Sequence, residues 1–175
     1  MSIAFESAPG IVAAAIALGA SVVDVRCRRI PNVLTFGAAA VGFVFHTATG
    51  GVAGAAVSAA GWAVGALLFL PFFALGGMGA GDVKLVACLG AWLGPGTVLW
   101  AALFAAIAGG IMAAVVAFWR GYLLKAFSNL WWLFGYWRVT GPRPLPELTI
   151  AEGKGPRLAY AIPIAAGTMV ALWLR

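Results

Sequence analysis

The chain has 175 residues, of which 63% are hydrophobic and only 9% charged, with a formal net charge of +6 and a mean hydropathy of +1.02. That balance excludes an ordinary soluble domain and points to one integral-membrane domain covering residues 1–175. The basic surplus is scattered between apolar segments rather than gathered on a soluble module. It therefore speaks for orientation in a bilayer and against nucleic acid as a partner.

In chain order, the first apolar run covers about 9–23 and ends directly at Asp24. The stretch before Asp24 contains one Glu and no Lys or Arg, so it lacks the basic region of a secretory signal peptide. A short link, Asp24 to Asn32, leads into a second run at about 33–47. Thr49-Gly50-Gly51 separates that from a third at about 52–75. The glycine hinge Gly76-Gly77-Met78-Gly79-Ala80-Gly81 opens a fourth, shorter run at about 83–93, and Gly94-Pro95-Gly96 a fifth at about 97–119. The last run covers about 158–174. Gly50-x-x-x-Gly54 and Gly61-x-x-x-Gly65 have the spacing of close helix contacts, although a general Ala/Gly bias accounts for them equally well. The expected fold is all-α, a polytopic membrane protein of about six transmembrane helices.

The fourth run is shorter than the roughly 20 residues that span a bilayer, and basic residues decide whether it crosses. If it does, Arg26, Arg28, Arg29, Lys84, Arg120, Lys125, Arg138, Arg143, Lys154 and Arg157 share one side, leaving only Arg175 on the other. This predicts an outside N-terminus, that cluster in the cytoplasm, and either local thinning of the bilayer at the short helix or a flooded approach to it. The aromatic stretch at about 120–138, with Trp131, Trp132, Tyr136 and Trp137 beside Arg120, Lys125 and Arg138, reads as a helix in the cytoplasmic headgroup layer. A docking surface for a partner helix is the alternative.

Only five acidic residues are present. Glu6, Glu147 and Glu152 lie in polar stretches, whereas Asp24 and Asp82 border apolar runs. Ionisable groups near membrane depth cost about 2.5–3.5 kcal/mol each and mark candidate functional sites. With the expected topology both fall at the same bilayer face. Each also has a structural reading. Asp82 can cap the helix it precedes, and Asp24 can pair with Arg26 or Arg28, although the C-terminal end of a helix is electrostatically wrong for an acid. Gly79 and Gly81 allow positive φ and close approach of another chain, such as a substrate strand. Two neighbouring carboxyls can share one proton and divide the roles of base and acid in peptide hydrolysis.

Together, Asp24-Val-Arg-Cys-Arg-Arg-Ile-Pro-Asn32, Gly79-Ala-Gly-Asp-Val-Lys84 and Ala161-Ile-Pro163 resemble the type IV prepilin peptidases, intramembrane aspartyl peptidases named for a Gly-x-Gly-Asp motif and distantly like presenilin. The resemblance implies that Asp24 and Asp82 are the catalytic pair. It further implies a pilin-like precursor as substrate, whose short basic leader is removed at the cytoplasmic face of the bacterial inner membrane. Gly79, Gly81, Lys84, Pro31, Asn32 and Pro163 belong to the matching motifs as site-shaping residues. Pro31 is expected to stop a helix and extend Ile30, Asn32 to cap the second span, and Pro163 to kink the last one. Lys84 either acts electrostatically on the acid pair or reaches for lipid headgroups.

The link from Asp24 to Asn32 carries Cys27 alone, without the longer cysteine-bearing insert of the family's larger members. Methyl transfer is therefore not expected, and the chain resembles the short, peptidase-only members of tight-adherence (Flp-type) pili. Cys88 reads as a small apolar filler, and two cysteines are too few for a disulfide scaffold. The single histidine, His46, offers no zinc pair and reads as a satisfied or solvated side chain; no cofactor is expected. The rival function is a small proton- or cation-coupled transporter or channel with Asp24 and Asp82 as its relay. A relay, however, wants its acids near the midplane rather than at one face.

Overall fold

The computed structural model describes residues 8–141, 143 and 158–174. They form α1 (Ala8–Cys27), α2 (Asn32–Ala74), α3 (Ala80–Trp119), α4 (Leu123–Thr140) and α5 (Ala161–Leu174), with no strand among the described residues. Glu6 and most of the proline-rich stretch before Leu158, with Glu147, Glu152, Lys154 and Arg157, lie outside the described residues, as does Arg175. By length and composition α1, α2 and α3 can each cross a membrane, and α5 is a shorter apolar helix.

The two long helices are not straight rods. In α2, Gly51 takes φ 58° and ψ −143°, and in α3, Gly94 takes φ 72° and ψ 172°. Both are backbone states in which a Cβ would be strained. Pro95 reinforces the second break, because its ring disfavours helical geometry in the residue before it. The chain reverses at both points. A Cβ on Gly54 would collide with the carbonyl of His46, whereas eight residues of straight helix would separate the two by about 12 Å. The turn expected at Thr49-Gly50-Gly51 is thus present, and Gly94-Pro95-Gly96 likewise divides α3 where the sequence suggested.

Small residues let these segments pack backbone to backbone. Gly61 meets the carbonyl of Gly90, Gly90 meets that of Gly61, and Gly65 lies against Val86 and Ala87. The second half of α2 therefore runs antiparallel to the first half of α3. The Gly61-x-x-x-Gly65 spacing does mark a close helix contact. Gly50, by contrast, has nothing within 4 Å of its Cβ position and belongs to the turn. Polar groups between α3 and both halves of α2 are satisfied locally, as burial requires. Ser58 Oγ donates to the Ala91 carbonyl at 2.8 Å, Trp92 Nε1 to Ala38 at 2.8 Å, and His46 Nε2 to Trp92 at 3.0 Å.

The second half of α3 packs against α5, where Gly167 admits the backbone of Ala101 and Ala105. The core of the bundle includes Leu85, Leu89, Val98, Ile164 and Leu172. Large apolar side chains such as Ile11, Leu18, Val44, Leu67, Leu103, Ile107 and Trp173 point outward, as expected of helices solvated by lipid. In α4, Leu124, Phe127, Trp131, Trp132 and Val139 are all exposed, and this helix meets the bundle at α3.

Candidate active site

The buried face of α1 is a stripe of small residues, Gly10, Ala13, Ala14, Ala17 and Ala20, and the next residue on that stripe is Asp24. Helical periodicity therefore turns this carboxyl inward, leaving it 8% exposed. At the end of α1 it faces the negative pole of its own helix, which is unfavourable. The compensation comes from another element. Asp24 Oδ2 accepts the backbone N–H of Ala161, the first residue of α5, at 3.4 Å. That N–H has no partner within its own helix, so the acid sits at the positive end of α5.

Asp82 occupies the first turn of α3, beyond the glycine hinge. The helix begins at Ala80 with Gly79 as its N-cap, so Asp82 is its third residue rather than the cap itself. Asp82 Oδ2 accepts the Gly79 N–H at 3.2 Å, the reciprocal half of a capping box. The carboxyl is 9% exposed. Asp24 and Asp82 lie within coulombic reach of each other, so the acids from the end of α1 and the start of α3 do converge.

Several smaller expectations are corrected. Gly79 has extended geometry, φ −79° and ψ 148°, and the hinge residue with positive φ is Gly76. A Cβ on Gly79 would stand 3.2 Å from Asp82 Oδ2, and one on Gly81 3.4 Å from the Ile30 side chain. Neither motif glycine has positive φ; the missing side chain at Gly79 leaves room for the Asp82 carboxylate, and at Gly81 the Ile30 side chain lies at ordinary contact distance. Asn32 does not cap α2, whose N-cap is Pro31, without a side-chain capping bond. Instead Asn32 Oδ1 accepts from Lys84 Nζ at 2.9 Å, and the same ammonium lies 5.5 Å from the centre of the Phe36 ring. Lys84 thereby ties the first turn of α2 to the second turn of α3. Pro163 produces no kink: it falls in the first turn of α5, where a missing N–H breaks no helical bond. Cys27 is exposed and Cys88 buried, both as free thiols.

Two neighbours of the acids, Ser21 and Tyr160, were not singled out from sequence, and Ala161, present there only as part of Ala161-Ile-Pro163, acts through its backbone. The Ala161 N–H is a backbone donor and carries no residue signature. Ser21 stands one turn before Asp24, and its Oγ lies 2.8 Å from the carbonyls of both Ala17 and Ala161. Its Ser-x-x-Asp spacing was the available signal. Tyr160 lies within electrostatic reach of Asp82, its ring 6.4 Å from that of Phe69 and its hydroxyl against Gly109. Among the described residues no three His, Cys, Asp or Glu side chains gather as a metal site. What the arrangement offers is paired carboxyl chemistry: one acid as base, its neighbour as proton donor.

A model of the type IV leader peptidase family matches residues 11–114, a stretch that includes both aspartates. The match covers more than half of the chain, and the chain belongs to that family. No curated protein matches it, and no solved structure does.

Proposed function

We propose that this member of the type IV leader peptidase family is an aspartic endopeptidase whose catalytic pair is Asp24 and Asp82. The observation that carries this reading is the convergence of two buried carboxyls, each accepting a backbone N–H at the start of a helix. One carboxyl, ionised, takes a proton from water as the water oxygen attacks the scissile carbonyl carbon. The other, protonated, donates to the developing oxyanion and then helps the amine leave. The roles of base and acid belong to the dyad rather than to one residue.

The substrate is a pilin-like precursor, cut after a short basic leader at the cytoplasmic face of the bacterial inner membrane. The reversals at Gly51 and Gly94 favour about six crossings. With an outside N-terminus these put Arg26, Arg28, Arg29 and Lys84 on the cytoplasmic side with the acids. The exposed aromatic face of α4, flanked by Lys125 and Arg138, suits the headgroup layer of that same side. The short Asp24–Asn32 link favours a peptidase-only enzyme of the Flp-pilus type.

The test is leader removal from a co-expressed prepilin. Asp24→Asn and Asp82→Asn should each lower the rate by at least about 10²–10⁴-fold, the usual worth of a positioned acid or base, with insertion and folding intact. Near-normal processing by either variant would refute the assignment.

A further inference from the structure

We infer that Ser21 is a positioning residue for the catalytic pair, acting on Asp24 through the Ala161 peptide; this rests on the dyad reading above. Ser21 and Asp24 are one helical turn apart on α1 and both reach the same residue of α5. The Ser21 Oγ lies 2.8 Å from the Ala161 carbonyl, and Asp24 Oδ2 accepts the Ala161 N–H at 3.4 Å. One residue 137 positions away in sequence is thus gripped by both its polar backbone groups. The hydroxyl is also 2.8 Å from the Ala17 carbonyl of its own helix, so its single proton is shared between the two carbonyls and the oxygen is held at the helix contact.

The opposite side of Ala161 is fixed as well. Tyr160, the preceding residue, is wedged between the Phe69 ring and the bare backbone of Gly109. Ala161 itself is fully buried. Local packing of α5 does not require the serine hydroxyl, because the Ala161 carbonyl lies in a helix and can accept a bond from within it. What the hydroxyl adds is registry between the end of α1 and the start of α5, the joint at which the Asp24 carboxyl is held. Misplacement by about 1 Å can cost about 10²-fold in rate, so loss of this registry is read in turnover before it is read in folding.

The experiment uses the full-length protein and a prepilin carrying a short basic leader. Ser21→Ala should lower kcat about tenfold with KM unchanged, and Ser21→Thr, which restores a hydroxyl at the position that reaches the Ala161 carbonyl, should recover most of it. Gly109→Ala, which drives a Cβ into Tyr160, should lower kcat from the other side of the same residue. Hydrogen exchange at the Ala161 amide should be faster in Ser21→Ala, a readout independent of cleavage. Wild-type kcat in Ser21→Ala, loss that Ser21→Thr fails to reverse, or loss matched by a fall in thermal midpoint would overturn the proposal. Asp24→Asn is assayed in parallel. Retained cleavage there would sink the dyad itself, whereas the exchange rate at Ala161 still reports on the grip of Ser21.

Discussion

The helix starts at Ala80 and at Ala161 each receive an aspartate, but by different routes. At the start of α3 the acid is local: Asp82 folds back on Gly79, three residues earlier. At the start of α5 it is remote, supplied by the last turn of α1. A local cap forms as soon as its helix forms, whereas a remote one exists only when α1 and α5 are correctly docked. The first acid is therefore placed by its own turn and the second by the whole bundle. The pair should accordingly respond differently to damage near and far.

The largest effect is expected from the glycine contact between α2 and α3. Gly90→Val would push a branched side chain into the backbone of Gly61. Overpacking of this kind typically costs about 1–3 kcal/mol and more where backbone must move. Thermal midpoint and processing should fall together, while Gly50→Ala, at a position open to 4 Å, should change neither. A smaller, more selective effect is expected from Gly79→Ala. Its Cβ would stand 3.2 Å from Asp82 Oδ2, so the carboxylate must give way by a few tenths of an ångström. Processing should drop several-fold, up to about tenfold, at an almost unchanged thermal midpoint. A midpoint loss as large as that of Gly90→Val would remove the distinction between local and bundle-wide placement. Smallest is Lys84→Met, which removes the partly exposed bond to Asn32. The cost should be about 1 kcal/mol or less, with activity within about threefold of wild type.

What the sequence made legible follows the same division. Apolar runs broken by Gly51 and by Gly94-Pro95 gave the helical segments, because glycine and proline act on their own backbone. Asp82 was legible as a helix-start acid, with the cap misplaced by three residues, since both members of the motif lie in one turn. Asp24 stood out as an acid at the wrong end of its helix. Its compensation was hidden, because the Ala161 N–H belongs to a backbone that every residue shares. Asn32 and Pro163 were misread for a related reason. Asn32 has the chemistry of a cap, but Lys84 from another helix claims its side-chain oxygen. Pro163 breaks a helix interior yet is harmless in a first turn, and only the structure shows where α5 begins.

The most direct measurement is a mutant cycle on leader cleavage, comparing Asp24→Asn, Asp82→Asn and the double variant on one prepilin. Groups that act as one catalytic unit are grossly non-additive, so either single change should remove nearly as much activity as both together. Single losses that simply multiply in the double variant, or a single variant that still cleaves at close to the normal rate, would contradict a shared dyad.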